Sequence, residues 1–485
     1  MSQIKGSNGK TQIEMVISEN GGTYTEFAGV LALWRLWHQM DVPRLLQTVD
    51  ITYGEEPDLA PTLSFAATIG PLVGAASDRR IAQRFGGEAS REGVEADGLL
   101  RQFVKEPFSQ RTLNRFVAKD RHPWRRFHQA LVRWLQQQPG LQAQADGVVI
   151  LDDFPIPKPY AEKMASLSRI RDQNQDRYVM GYQVVHLYYH HPQQPDYSLY
   201  VQPWKKSSAL GEAKPKPRGA QRPARPDEQR SRLDIALDAV RDFVPLLADY
   251  RAVVFDSWYT ARWLGHELTQ LDIRWIGAAE STQKFELAET GEYLSVPAIL
   301  ERFWDQCQPV DTPEPVRAIA IPAIIRGDRY TKVDQPVQLV LARPEESSLD
   351  DEEPAYYLLI CNQHSWSAEE IVSLFQCRPQ IEVAHRQGKQ QEGWVDFQYQ
   401  RWPCFLTHFA FALLRSLLLI LLQLEHETLE AFSVRQLIAH VVQAVAILIE
   451  KEGDGELAIY LPRGQPAARR CLARFSSSNR DVFVC

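Results

Sequence analysis

Two short apolar runs, each closed by an acid, limit most strongly what this chain can fold into. Residues 147–151 read Gly-Val-Val-Ile-Leu and are followed by Asp152 and Asp153; residues 252–255 read Ala-Val-Val-Phe and are followed by Asp256. Such runs lack the polar alternation of a half-exposed strand and belong to strands covered on both faces. Around them lie Tyr178–His190 and Tyr197–Trp204, rich in β-branched and aromatic residues, a helical pattern over 232–248, a helix near 260–270 and a strand over 273–279. Strands and helices in that order predict an α/β domain on a central sheet.

The rest of the chain is placed around that domain. Residues 1–140 read as a helical region, with apolar residues at helical spacing in Glu26–Met40 and Trp124–Gln138. The sheet domain is expected from 141 to 281. Residues 282–335 mix strand-like pieces with Pro and turn residues and are expected to form a β-rich insertion. The sheet pattern returns within 336–425, in Pro336–Arg343 and Ala355–Asn362, and a helical segment follows from Ser367 to Lys389 with Pro379 inside it. Apolar helices are expected to run on to about 451, so that 426–485 forms a C-terminal helical region and tail. No internal repeat is apparent.

The six cysteines form no Cys-x-x-Cys pair, which argues against a zinc knuckle or a disulfide framework. The first thirty residues lack the basic-then-apolar pattern of a signal peptide, and a reducing, cytoplasmic setting is expected. Cys404–Leu422 is apolar enough to suggest a membrane span but contains His408 and Arg415, so a buried helix is expected and no membrane partner.

The formal charge of −7 hides a bipolar distribution. Residues 101–133 hold nine Arg or Lys against two acids, residues 205–232 nine against three, and residues 345–353 six acids. Local basic surface, not net charge, decides whether a chain can meet nucleic acid. In the first basic stretch Ser109 is a good N-cap for a short helix that carries Arg111, Asn114 and Arg115. That helix reads either as a DNA-recognition helix or as a solvated basic face. The Pro- and Gly-rich 205–232 segment reads as a surface loop, suited to backbone phosphate or simply solvated.

Phosphodiester chemistry without a covalent intermediate needs an activated water or hydroxyl and a stabilised leaving oxygen. Two divalent ions about 4 Å apart supply both, and a hard ion such as Mg²⁺ needs converging carboxylates. Asp152 or Asp153, and Asp256, stand where an apolar strand is expected to stop. A third acid lies in Phe375–Trp394. At roughly 100° per residue, Arg378, Glu382 and Lys389 fall about 60°, 20° and 40° from Phe375, so one continuous helix would carry all four on one face. Arg378 and Glu382 form an i,i+4 pair.

On these residues the chain resembles the DDE transposases of bacterial insertion sequences, in the insertion-sequence-four-like group whose third catalytic region is Tyr-x2-Arg-x3-Glu-x6-Lys. Phe375, Arg378, Glu382 and Lys389 reproduce the spacing, with Phe in the Tyr place. Asp256 with the residues after it resembles the second Asp region. Asp152–Asp153–Phe154 resembles the first, with Phe154 where Thr is usual, and aligning that pattern favours Asp152 over Asp153.

The resemblance implies an α/β, RNase H-like catalytic core with a β-rich insertion, preceded by an α-helical DNA-binding region and followed by α-helices. It implies Asp152 or Asp153, Asp256 and Glu382 as catalytic carboxylates, with Asp152, Asp256 and Glu382 holding two Mg²⁺ or Mn²⁺ ions. Arg378, Lys389 and Arg386 would contact DNA phosphates. The implied partners are double-stranded DNA, both terminal inverted repeats and target, and a second copy of the chain on that DNA, in a bacterial, nucleoid-associated setting. The activity would be cut-and-paste transposition. A domesticated, inactive DNA-binding protein or a nuclease without strand transfer are the alternatives. Trp304 could stack on a flipped base but reads more readily as core. Lys158 could approach DNA or be a loop lysine, His385 reads as packing or exposed, and Trp258 and Tyr259 are expected to pack a helix onto the sheet.

Overall fold

The computed structural model describes the chain apart from residues 1, 8–9, 16–22, 55–57, 76, 86–96, 98, 104–107, 121, 173–176, 206–229, 329–330, 352–353, 398, 426–428, 430–431, 445, 451–456, 461–466 and 469–485. Most of the basic 205–232 segment and the end of the tail therefore lie outside the described residues. Two compact units emerge, residues 1–131 with 386–485, and residues 132–385.

The first unit begins with strands β1 (Ser2–Ser7), β2 (Lys10–Met15) and β3 (Thr23–Thr25). Helices α1 (Val30–Gln39), α2 (Val42–Thr48), α3 (Leu59–Ile69), α4 (Asp78–Arg84) and α5 (Gln110–Val117) follow, and α6 (Trp124–Leu135) leads out of it. Ser109 caps α5, its hydroxyl accepting the Thr112 amide at 3.1 Å. Leu113, Phe116 and Val117 turn inward from that helix. Arg111, Asn114 and Arg115 are exposed along its other side.

In the second unit β4 (Val148–Pro157), β5 (Ser168–Asp172), β6 (Arg177–His190) and β7 (Tyr197–Pro203) are followed by α7 (Arg232–Phe243), β8 (Ala252–Phe255), α8 (Arg262–Gln270) and β9 (Trp275–Ala278). Then come β10 (Lys284–Leu287), β11 (Tyr293–Ser295), α9 (Val296–Phe303), β12 (Gln308–Val310), β13 (Val316–Ile325), β14 (Gln335–Pro344) and β15 (Tyr357–Cys361). All twelve strands make one sheet, in the order β11-β10-β13-β14-β15-β9-β8-β4-β6-β5, with β12 added beside β13 and β7 beside β6. β4, β8 and β9 run parallel, and the other pairs are antiparallel. The strands of the expected 282–335 insertion are not set apart as a sheet of their own. The long β13–β14 hairpin carries them into the central sheet, in register from Val316↔Pro344 to Ile325↔Gln335.

Two helices close one face of that sheet, α10 (Ala368–Phe375) and α11 (Gln380–Gln390), and the boundary between the two units falls inside α11. Ser367 caps α10 by accepting the Glu370 amide at 3.1 Å. Val148 and Ile150 of β4, Ala252 and Val254 of β8 and Ile276 of β9 meet Ile371, Val372, Phe375 and Ile381 in one apolar layer. Each large side chain removed from water there contributes about 1.5–3 kcal/mol. On the other face, Ile235, Ala236, Ala239 and Phe243 of α7 are buried, with Phe243 stacked 4.6 Å from Tyr200.

The chain then returns to the first unit with α12 (Trp402–Leu424), the one described helix long and apolar enough to cross a bilayer; 83% of its most apolar window is buried. Arg415, inside it, is buried and donates to the carbonyl oxygens of Thr68 and Glu392. Instead of helix continuing to 451, β16 (Ala446–Glu450) pairs with β17 (Leu457–Tyr460) on one side and with β3 on the other. The isoleucine-rich Ala-Ile-Leu-Ile-Glu run favours a strand.

Candidate active site

β4 does not stop at its acids. Its parallel ladder with β8 ends at Leu151↔Phe255, while its antiparallel ladder with β6 continues to Pro157↔Gly181. The two strands part at that point, and the side chains of Asp152 and Asp256 stand at the parting. Ligands of open α/β sheets bind outside such carboxyl ends. Because neighbouring strand residues face opposite ways, Asp152 shares the face of Val148 and Ile150, under α10 and α11. Asp153 points to the other face, where it accepts from Arg232 and Gln183 and, at 3.1 Å, from the Tyr259 hydroxyl.

The helix expected to carry all four residues of the third element is broken. α10 ends at Phe375, residues 376–379 form a turn, and α11 starts at Gln380. Pro379 has no amide to offer and disfavours helical geometry in Arg378. Phe375 therefore stays with α10, buried and 5.8 Å from the Tyr357 ring, while Arg378 projects from the turn.

Arg378 is the centre of the cluster. Its Nη2 lies 3.0 Å from Asp152 Oδ2 and 3.7 Å from Asp256 Oδ2, and its Nη1 lies 3.5 Å from Glu382 Oε1. Each aspartate also spends its other oxygen on the main chain: Asp152 Oδ1 accepts the Asp153 amide at 2.8 Å, and Asp256 Oδ1 the Trp258 amide at 3.0 Å. Asp152 is buried, and burial, helped by the charges of Asp256 and Asp153, pushes its carboxyl up to about 7 against the opposing pull of Arg378. Burial also raises Asp256, again against Arg378. Glu382 is half exposed and held least.

The remaining expected residues are distributed as follows. Arg386 is exposed and Lys389 half-buried on α11, both in the residues of the other unit. Lys158 extends the β4–β6 pairing through its amide, 2.7 Å from the Met180 carbonyl oxygen. Trp304 is buried beneath the Arg343 guanidinium, 5.1 Å from its ring. Tyr259 is buried as expected, but Trp258 is 42% exposed, with the Arg232 guanidinium 3.5 Å over its ring. His385 is buried and pairs with His186, at 3.0 Å between Nε2 and Nδ1. Arg232, Tyr259 and His186 carry no signal in the sequence as neighbours of the acids. His186 faces Asp152 only through the β4–β6 register.

Three carboxylates against one guanidinium leave two uncompensated negative charges when all are ionised. Oxygen donors on two strands and a helix, partly dehydrated, form a donor set that suits a hard divalent cation. As the side chains stand, no three described His, Cys, Asp or Glu side chains are gathered closely enough to hold a metal ion. The guanidinium occupies the point on which they converge.

Compared with known proteins, the chain matches no curated entry. Among solved structures it is similar to the piggyBac transposase in a cryo-EM synaptic complex with hairpin DNA, at 11% identity and a TM-score of 0.42, over 86% of this chain and 81% of that one. Residues 96–292, which include Asp152, Asp153 and Asp256 but not Glu382, match the family model described as DDE superfamily endonuclease.

Proposed function

We propose that the chain is a DDE transposase that cuts DNA strands in a metal-dependent reaction and joins the freed 3′ ends to target DNA by cut-and-paste. One observation carries this reading: Asp152, Asp256 and Glu382, from two parting parallel strands and a helix, converge on one guanidinium on the same face of the sheet. The match of residues 96–292 to a DDE endonuclease model supports it.

In this reading Asp152, Asp256 and Glu382 would hold Mg²⁺ or Mn²⁺, with Asp152 rather than Asp153 as the first carboxylate, since Asp153 is engaged on the opposite face. A divalent ion held there would supply activation of the attacking water or hydroxyl and stabilisation of the leaving oxygen. Arg378 balances the carboxylates, and its planar fork would suit a DNA phosphate beside them. Arg111, Asn114 and Arg115 bind DNA from the exposed side of α5, and Arg386 and Lys389 bind phosphate from α11. Two copies act together on paired terminal repeats, and the core is RNase H-like.

The test is strand cleavage of DNA carrying the element's own ends, in Mg²⁺ or Mn²⁺. Asp256→Asn and Glu382→Gln should bind DNA and fail to cut it. Undiminished cutting by either variant removes the assignment. Cleavage without joined products would identify a nuclease, and DNA binding by the unaltered chain without any cleavage an inactive relative.

A further inference from the structure

Glu382 is the carboxylate with the weakest hold of its own. It is half exposed, and its contact with Arg378 is 3.5 Å long. Its placement must therefore come from the helix that carries it. On α11 within the second unit, two side chains are driven inward: Ile381 into the apolar layer and His385 toward β6. An apolar contact tolerates sliding, whereas a hydrogen bond fixes direction as well as distance.

We propose that His385 and His186 are positioning residues for the carboxylate cluster, their hydrogen bond setting where Glu382 stands relative to Asp152. The proposal rests on reading that cluster as a divalent-metal site.

The geometry connects both acids through one bond. His186 is the residue directly opposite Asp152 in the β4–β6 ladder, and His385 follows Glu382 by three residues, on the next turn of α11. His385 Nε2 lies 3.0 Å from His186 Nδ1, and His186 Nε2 lies 2.9 Å from the Ser198 hydroxyl on β7. Phe154 walls the pair, 4.4 Å from the His385 ring and 6.3 Å from that of His186, with Tyr188 5.4 Å from His186. His186 is thus held at both ring nitrogens, Nε2 by Ser198 and Nδ1 by His385, so the plane of its ring is set from two sides. Phe154 stands as an apolar wall beside both rings.

The experiment is Mn²⁺ binding by the full chain, followed by calorimetry, with thermal unfolding recorded for every variant. His385→Leu and His186→Leu should each weaken Mn²⁺ binding about tenfold, the scale of outer partners that orient metal ligands. His385→Gln, whose amide can donate or accept toward His186, should recover most of the affinity. The double variant His186→Leu/His385→Leu should lose no more than one single variant, since both remove the same bond. Should a leucine variant not fold, Ser198→Ala frees the His186 ring with little change in packing and should still weaken binding. Unchanged affinity in folded single variants, or losses that add in the double, overturns the proposal while leaving the metal site intact. If the unaltered chain binds no Mn²⁺, the metal-site reading falls and this inference with it.

Discussion

Asp152 and Asp153 are adjacent in sequence and have opposite surroundings, so substituting each should give opposite results. Asp152→Asn removes a carboxylate from the Arg378 cluster and should reduce metal-dependent strand cleavage by roughly 100-fold or more, because metal stabilisation of the reacting charges amounts to several kcal/mol. Asp153→Asn leaves that cluster alone and strands Arg232 and Tyr259 on the far face. It should retain cleavage and cost about 1–3 kcal/mol of stability in denaturant unfolding. Reversed outcomes would make Asp153 the first ligand. The elevated carboxyl of Asp152 also makes stability depend on pH. Unfolded, it ionises near 3.8; folded, burial delays ionisation to about 7. The folded chain thus holds an extra proton between those values, and the stability this confers is fully present below the unfolded value and lost as pH rises through 7. Thermal unfolding in EDTA should show the melting temperature falling between pH 5 and pH 8, and Asp152→Asn should flatten that fall. Mn²⁺ at pH 8 should restore the unaltered protein. An equally steep fall in Asp152→Asn would assign it to other groups.

Among the elements, what could be read from sequence was set by how local the governing interaction is. The buried strands β4 and β8, the Ser109 cap of α5 and the buried course of α12 follow from patterns within a few residues, and all are present. The break between α10 and α11 is also local. Pro379 announces it, yet the even angular spacing of Phe375, Arg378, Glu382 and Lys389 suggests continuity. The pairing of β13 and β14 into the central sheet, and the β16–β17 strands, depend on distant partners that no short pattern reveals. The same holds within the site. Asp152, Asp256, Glu382 and Arg378 stand out in the sequence as candidates, but the place of Arg378 between the aspartates depends on the turn over residues 376–379, and the His186–His385 bond on the β4–β6 register. Register itself rests on close approaches such as that of Gly181, where an added Cβ would lie 2.4 Å from the Ile156 carbonyl oxygen. Gly181→Ala should force β4 and β6 apart and destabilise the second unit by about 1–3 kcal/mol in urea unfolding. A variant as stable as the parent would mean that the ladder yields there at little cost.

For the molecule as a whole, a net charge of −7 does not prevent contact with DNA, because the positive residues are concentrated. If α5 carries DNA phosphate on Arg111 and Arg115, removing both in Arg111→Ala/Arg115→Ala should reduce the slope of log binding constant against log salt by about 1.8, at about 0.9 per phosphate contact. An unchanged slope in a salt titration would make the exposed side of α5 a solvated face and move the binding surface elsewhere.

One detail of the cluster governs how inactivating variants of this protein are to be interpreted. Both aspartates use Oδ1 to satisfy a main-chain amide, at the parting of β4 from β8 and at the turn after β8, and offer Oδ2 to the guanidinium. Truncation to alanine would therefore orphan an amide in addition to deleting a charge, and its phenotype would combine a loosened backbone with lost chemistry. Asparagine keeps an isosteric acceptor for that amide. The difference between the alanine and asparagine variants at one position thus measures the aspartate's scaffolding contribution, separately from its reactivity.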